Sequence, residues 1–255
     1  MNENEIVPGE RSGGANTSHT IIVSQLTDLL SCVEHTAPAT DYEQAVLNDN
    51  VLGKDTTGAR KRTLRYLREL YLLRPDSILF RGLRDLWPDN PAGQPLLAGL
   101  CALARDTVFR ASATGVLSGS PGDEVQSEDL ADEVEKIFPD TYNDSTLAKI
   151  GRNTSSSWEQ TGHLEAVGRT AKVRRRPTCT PATTAYALML GHLAGTRGEA
   201  LFDTVWARTL DQPRRHLFEL AAVASQRSLL EFRHSGGITE VGFRELLRPM
   251  EGQLL

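Results

Sequence analysis

The sequence predicts a mainly α protein, an N-terminal helical bundle plus a C-terminal winged-helix-like region with two short β-hairpins. Three observations point there. Apolar residues recur at a helical period between residues 20 and 116. The stretch Ser145 to Pro177, STLAKIGRNTSSSWEQTGHLEAVGRTAKVRRRP, reads as a two-faced helix running into a short hairpin. A second hairpin is signalled by the turn Ser235-Gly236-Gly237 between two apolar runs.

Taken in order, residues 1–18 (MNENEIVPGERSGGANTS) are polar and glycine-rich and predict a mobile tail. A helix is expected over 20–32, with Ile22, Val23, Leu26, Leu29 and Leu30 at helical spacing, and a weaker one over 42–51. The strongest covers 58–73, where Leu64, Leu67, Leu70 and Tyr71 share one side and arginines line the other. Helices over 77–86 and 96–116 complete the bundle. The breakers are Pro75, Pro88-Asp89-Asn90-Pro91 and Gly119-Ser120-Pro121-Gly122. The last loop is the expected boundary. It divides the chain into a tail (1–18), a bundle (19–122), a winged-helix-like region (123–197) and C-terminal helices with a hairpin (198–255). Beyond it, Ser127 is read as the cap of a helix reaching Phe138, with Leu130, Val134 and Ile137 inward. A turn at 139–144 precedes the two-faced helix, and strands at 164–167 and 172–176 flank Gly168. Thr180 caps the next helix, with Pro181 at its first position and Gly195 at its end. Helices over 198–210 and 213–226 and strands over 229–234 and 238–243 finish the chain.

Composition narrows the function classes. Hydrophobic content of 39% and charged content of 24% describe an ordinary globular chain. A net charge of -5 argues against an indiscriminate polyanion binder, yet the charge is clustered. Arg60, Lys61, Arg62, Arg65 and Arg68 form one basic block, and residues 149–176 a second. Between them lie Asp123, Glu124, Glu128, Asp129, Asp132, Glu133 and Glu135. Cys32, Cys101 and Cys179 are far apart and outside metal-ligand spacings, and are read as reduced thiols of a cytoplasmic protein. No secretory signal or membrane-spanning run is recognised, so no membrane partner is expected. The run Gly115-Val116-Leu117-Ser118-Gly119-Ser120 lacks the lysine of a phosphate-cradling loop, there is no nucleophile elbow, and the six histidines are scattered. The expectation is a non-enzymatic protein without metal or cofactor.

On the two-faced helix, Leu147, Ile150, Thr154 and Trp158 share the inward side. Lys149, Arg152, Asn153, Ser156 and Gln160 share the other, a stripe of basic, amide and hydroxyl groups without an acid. Such groups bond phosphate oxygens and base edges in a DNA major groove. Arg152 would suit guanine and Asn153 or Gln160 adenine, while Ser155, Ser156, Ser157 and Thr161 would suit phosphate. Arg169, Lys172, Arg174 and Arg176, with Arg175, would form a basic wing, although strand alternation turns part of that set away from any one partner. Arg60, Lys61, Arg65 and Arg68 read as a second phosphate-binding surface, as a dock for the acidic run, or simply as a solvated face. Trp158 is read as a core anchor, with base stacking the alternative. His163 is read as a polar turn residue, with phosphate contact the alternative. Ser, Thr and Gly are poor helix formers, so the helix can break near Thr154 and restart at Trp158.

Two segments resemble a known family. TTGARKRTLRYLRELYLL, which contains residues 58–73, resembles the basic helix near the start of BrxA-type proteins of bacterial BREX phage-exclusion systems. The start Asp144-Ser145-Thr146-Leu147, followed by Lys149 and Ile150, is similar to their C-terminal segment, and an apolar helix around 96–109 sits between the two. By order and spacing the resemblance covers residues 20–200, and the tail after Gly198 departs from it. It implies a compact, mostly helical, non-enzymatic protein that binds double-stranded DNA beside a methyltransferase, a phosphatase-like protein and ATPases. The alternative readings are a protein-interaction adaptor in a defence complex, a winged-helix transcription regulator, or an RNA-binding bundle.

Overall fold

The structure, a computed structural model, describes residues 5–168 and 171–249. Five helices build the first half: α1 (Val23–Cys32), α2 (Ala39–Leu47), α3 (Thr57–Tyr71), α4 (Ile78–Leu86) and α5 (Gln94–Arg105). Helical periodicity translates directly into packing here. Leu26, Leu29 and Leu30 of α1, Leu64, Leu67 and Leu70 of α3, and Leu79, Phe80 and Leu83 of α4 are all buried. In α5 every residue from Leu96 to Ala104 is buried, as its nearly uninterrupted apolar sequence requires. Thr56 and Ser77 cap α3 and α4 by accepting from the Ala59 and Phe80 amides at 3.1 and 3.2 Å.

The single helix expected over 96–116 is three: α5, α6 (Thr107–Ala111) and α7 (Ala113–Leu117). Asp106 has extended backbone and its Oδ1 accepts from the Phe109 amide at 2.8 Å, so it caps α6 and stops α5. An apolar period running through a cap residue hides the break.

The next elements are β1 (Glu124–Val125), α8 (Ser127–Ile137), α9 (Asp144–Gln160), β2 (Leu164–Val167) and β3 (Ala171–Arg174). The sheet order is β1-β3-β2, antiparallel throughout, with Glu124 opposite Val173 and Leu164 opposite Arg174. Val108 of α6 packs with Val134 and Phe138 at α8 and Ile150 of α9 in a small core. Helix, strand, helix, helix, hairpin in that sheet order is a winged-helix-like connectivity, with α9 the helix that precedes the hairpin. Its first helix lies before the expected boundary at Gly119–Gly122. The β1 strand was not expected, because two residues cannot show an alternation. The cap of α8 is Gln126, not Ser127, and Asp129 accepts from the Gln126 amide at 3.0 Å.

Helix α9 does not break at Thr154; it runs for 17 residues behind an Asn143 cap. The Thr154 hydroxyl satisfies itself on the Ile150 carbonyl at 2.9 Å, so its low propensity is overridden by burial. Gly151 fixes how closely α8 and α9 approach: a Cβ there would lie 2.2 Å from the Ser127 carbonyl oxygen. Gly151→Ala is therefore expected to destabilise the fold by about 2 kcal/mol despite alanine's better helix propensity. Urea denaturation checks this, and an unchanged or raised midpoint contradicts it.

The remaining elements are α10 (Pro181–Leu193), α11 (Val205–Thr209), α12 (Arg214–Gln226) and the hairpin β4 (Glu231–Ser235)–β5 (Ile238–Gly242). Thr180 caps α10 as expected, accepting from the Thr183 amide at 3.2 Å, and α10 is buried from Ala182 to Gly191. The helix expected over 198–210 is a 3₁₀ segment, Gly198–Asp203, followed by α11, which Thr204 caps.

Buried side chains from Ala15 to Leu246 form one connected cluster that crosses the expected boundary loop. The expected tail is also packed where it is described. Glu5 accepts from the Ser77 hydroxyl and the Ile78 and Leu79 amides at 2.9–3.1 Å, and Ala15 and Asn16 are buried. Residues 1–4 and 250–255 lie outside the described residues. Of the glycines in the N-terminal segment, Gly14 alone is closely packed, since a Cβ there would lie 2.3 Å from Asp106 Oδ1.

Candidate nucleic-acid interface

The exposed residues of α9 are Asp144, Ser145, Ala148, Lys149, Arg152 and Glu159, with Ser156 half-buried between them. Ser145, Lys149, Arg152 and Ser156 follow one another at intervals of four, three and four residues, a single helical stripe. The Lys149 and Arg152 side chains have no hydrogen-bond or ion-pair partner among the described residues. The stripe ends in an acid the sequence reading left out, Glu159, whose carboxylate is held by Lys172 at 2.8 Å.

Asn153 and Gln160 do not belong to this face. The Asn153 amide nitrogen donates to the Asn16 carbonyl at 3.0 Å, and the Gln160 side-chain oxygen accepts from the Val23 amide at 2.9 Å. Gln160 thus satisfies one of the unpaired amides at the start of α1. Ser157 is buried and donates to Asn16 Oδ1 at 2.6 Å, and buried Asp106 accepts from the Asn16 amide and side chain at 2.8 and 3.0 Å. Asp106 keeps a raised pKa because burial outweighs these hydrogen bonds. The amides that could have read adenine are committed to holding the N-terminal segment. Ser155 and Thr161 are buried as well.

Trp158 is fully buried, donates from its indole nitrogen to Ser112 Oγ at 2.9 Å, and packs against Phe109. It is a core anchor and not a stacking platform. His163, read as a turn residue, is a buried connector. Its Nε2 lies 2.7 Å from the Thr209 carbonyl and its Nδ1 2.7 Å from Thr161 Oγ1. A carbonyl only accepts, so Nε2 carries the proton and the neutral ring's Nδ1 accepts from the threonine. Burial drives its pKa down to about 3. The unfolded chain therefore binds a proton at His163 below about pH 6.5, while the folded chain stays neutral there. Stability from this group is complete above pH 6.5 and is lost as pH falls, at roughly 1.4 kcal/mol per pH unit. Asp106, with its raised pKa, opposes this in the acid range. Between pH 6 and 4.5, His163→Gln should flatten the stability slope by about one proton; equal slopes in both proteins would contradict the assignment.

The wing offers less than its sequence implied. Arg174 is fully buried: its Nε donates to the Val116 carbonyl at 2.8 Å and its guanidinium lies 3.0 Å from Asp211. Lys172 is only 16% exposed and paired with Glu159, and Arg175 is paired with Glu165 at 2.5 Å. Arg176 faces Asp211 at 4.0 Å, at the root of the hairpin. Arg169 lies outside the described residues. Strand alternation foretold that some of this set turns inward; the structure identifies Arg174 as the residue that does so completely.

The second basic surface is also narrower. Arg60 donates to the Lys54 and Leu47 carbonyls at 3.3 and 3.0 Å, stapling the start of α3, and Arg68 pairs with Glu43 at 2.6 Å. Lys61, Arg62 and Arg65 remain exposed, with the Arg65 guanidinium over the Tyr66 ring. The 3₁₀ turn Ala15–Thr17 links the two basic helices: Asn16 bonds α9 as described, and the neighbouring Ser18 hydroxyl lies 3.2 Å from Tyr66 Oη. Acids limit the field at the start of α9. Glu128 and Asp132 of α8 share a shallow groove with Asp144 and Ala148. Phosphate would be repelled from the start of α9 and favoured from Lys149 onward.

Among the described residues no group of three or more His, Cys, Asp or Glu side chains could hold a metal ion, and no helix is long and apolar enough to cross a membrane. No protein-family profile and no curated protein matches the chain. The chain is similar in fold to a solved structure described as magnesium ion-bound SspB, with a TM-score of 0.54 and 13% identity, over 91% of this chain and 86% of that one.

Proposed function

We propose that this chain is a non-enzymatic protein that binds double-stranded DNA through α9. The observation that carries the reading is the stripe Lys149, Arg152 and Ser156, whose side chains have no partner among the described residues, on the helix that precedes the hairpin of a winged-helix-like unit. Arg152 is the candidate base contact, Lys149 and the Ser156 hydroxyl are phosphate contacts, and Lys61, Arg62 and Arg65 supply a second, sequence-independent anchor. With Asn153 and Gln160 occupied internally, few base contacts remain, and affinity rests mainly on phosphate. The role in a phage-exclusion system, beside a methyltransferase, a phosphatase-like protein and ATPases, draws its support from the resemblance at α3 and the start of α9. Magnesium is named for the structurally similar protein; among the described residues no group of three or more His, Cys, Asp or Glu side chains is placed to hold a metal ion.

Fluorescence anisotropy with a labelled DNA duplex at low salt tests the reading. Saturable binding that weakens with added salt is expected, with an RNA duplex competing poorly. Absence of binding at low salt would remove the DNA reading and favour an adaptor whose basic faces dock acidic proteins. Preference for RNA would favour the bundle as an RNA reader.

A further inference from the structure

A groove of about 830 Å³ lies on a part of the molecule that the α9 face does not use. It is bounded by α6, α7, the end of α8 and the segment joining α11 to α12. This volume is within the roughly 300–1,000 Å³ common for small-molecule sites. Three arginines line it, against one acid. Arg110 is held in place by the Leu103 and Val7 carbonyls at 3.1 and 2.5 Å, with Asp106 and Glu10 near enough to act on its charge, so it fixes one wall and the free charge lies with the other two. Arg208, in the last turn of α11, has no side-chain partner among the described residues. Arg176 reaches only to 4.0 Å from the single acid, Asp211, which is already engaged by buried Arg174 at 3.0 Å. Positive charge is therefore in excess. The same groove is lined by Leu117, Val205 and Ile137, the last 57% exposed and one of few large apolar side chains left in solvent.

We propose that this groove binds an organic anion, a carboxylate or phosphate carried on an apolar body. The arginines take the charged group, with Arg208 and Arg176 as its partners. The aliphatic side chains cover the apolar part. Inorganic phosphate alone uses half the site, and a neutral hydrocarbon the other half. The residues share nothing with the outward stripe of α9, so the site stands or falls independently of DNA binding.

Titration of the full chain with 8-anilino-1-naphthalenesulfonate, an anion on an aromatic body, tests this. One saturable class of sites is expected, displaced by 1-naphthyl phosphate or 1-naphthoate and at least tenfold less readily by inorganic phosphate. The neutral N-phenyl-1-naphthylamine should bind at least tenfold more weakly. Arg208→Gln should weaken the dye about tenfold with an unchanged melting temperature, and Arg176→Gln with Arg208→Gln more than tenfold. Ile137→Ser, on an exposed side chain that leaves the fold intact, should weaken the dye severalfold. Dye affinity unaffected by the arginine substitutions, or equal displacement by inorganic phosphate, overturns the proposal.

Discussion

Replacing Arg174 with methionine is expected to cost about 3–5 kcal/mol of folding stability. The side chain is fully buried, and methionine can fill much of its volume but none of its hydrogen bonds. The Val116 carbonyl then loses a donor at 2.8 Å and Asp211 loses its nearest cation at 3.0 Å. These contacts join α7, β3 and the α11–α12 segment, so the loss loosens the root of the wing from two directions. Asp211 keeps 22% side-chain exposure and has Arg176 at 4.0 Å, which favours the lower end of the range. Lysine is a poor substitute because one ammonium cannot reach both partners in the guanidinium's geometry. In thermal unfolding the loss corresponds to a fall on the order of 10 °C for a chain of this size. Asp211→Asn should cost less, since it leaves the Arg174 bond to Val116 intact. A melting temperature within about 2 °C of the parent's for Arg174→Met would show that the buried pair carries no net stability here.

The second large effect is on binding. Lys149→Glu combined with Arg152→Glu should weaken duplex affinity by 100-fold or more at low salt. Two favourable phosphate or base contacts are removed and two repulsive charges are placed on the same stripe, next to the acids of α8. Both side chains are exposed and unpartnered, so the fold should be untouched. Asn153→Ala is the informative contrast. Its amide bonds Asn16, so the expected phenotype is lost stability of roughly 1 kcal/mol with intact binding by the folded fraction. A direct loss of DNA affinity in Asn153→Ala, with stability unchanged, would return that residue to the reading face.

Helical periodicity made most of the fold legible, because a stripe of leucines has to be buried somewhere and the only economical place is a shared core. The limits of that signal are equally physical. Asp106 interrupts an apolar run with a cap, and the period continues on both sides of it, so one helix was expected where α5, α6 and α7 stand. The two residues of β1 carry no periodic signal at all. In the interface, periodicity separated the two sides of α9 but not the width of each. Asn153 and Gln160 sit at the margins, and their inward turn depends on Asn16 and on the start of α1, more than a hundred positions away. Glycine-rich residues 5–18 carry no apolar stripe, so no local rule could have shown that they cross the bundle and bond α9. Charge was the least transferable signal. Arg60, Arg68, Lys172 and Arg174 are basic in composition but spend their charge or donors within the protein, while Arg208, isolated in sequence, carried no signal beside longer basic runs.

The most direct measurement is the salt dependence of duplex binding for the parent chain and for Lys149→Ala with Arg152→Ala. Each phosphate neutralised contributes about 0.9 to the slope of log affinity against log salt. If both side chains contact the backbone, the slope should become shallower by about 1.8, and by about 0.9 if Arg152 reads a base instead. Identical slopes and affinities for the two proteins would contradict the placement of DNA on α9.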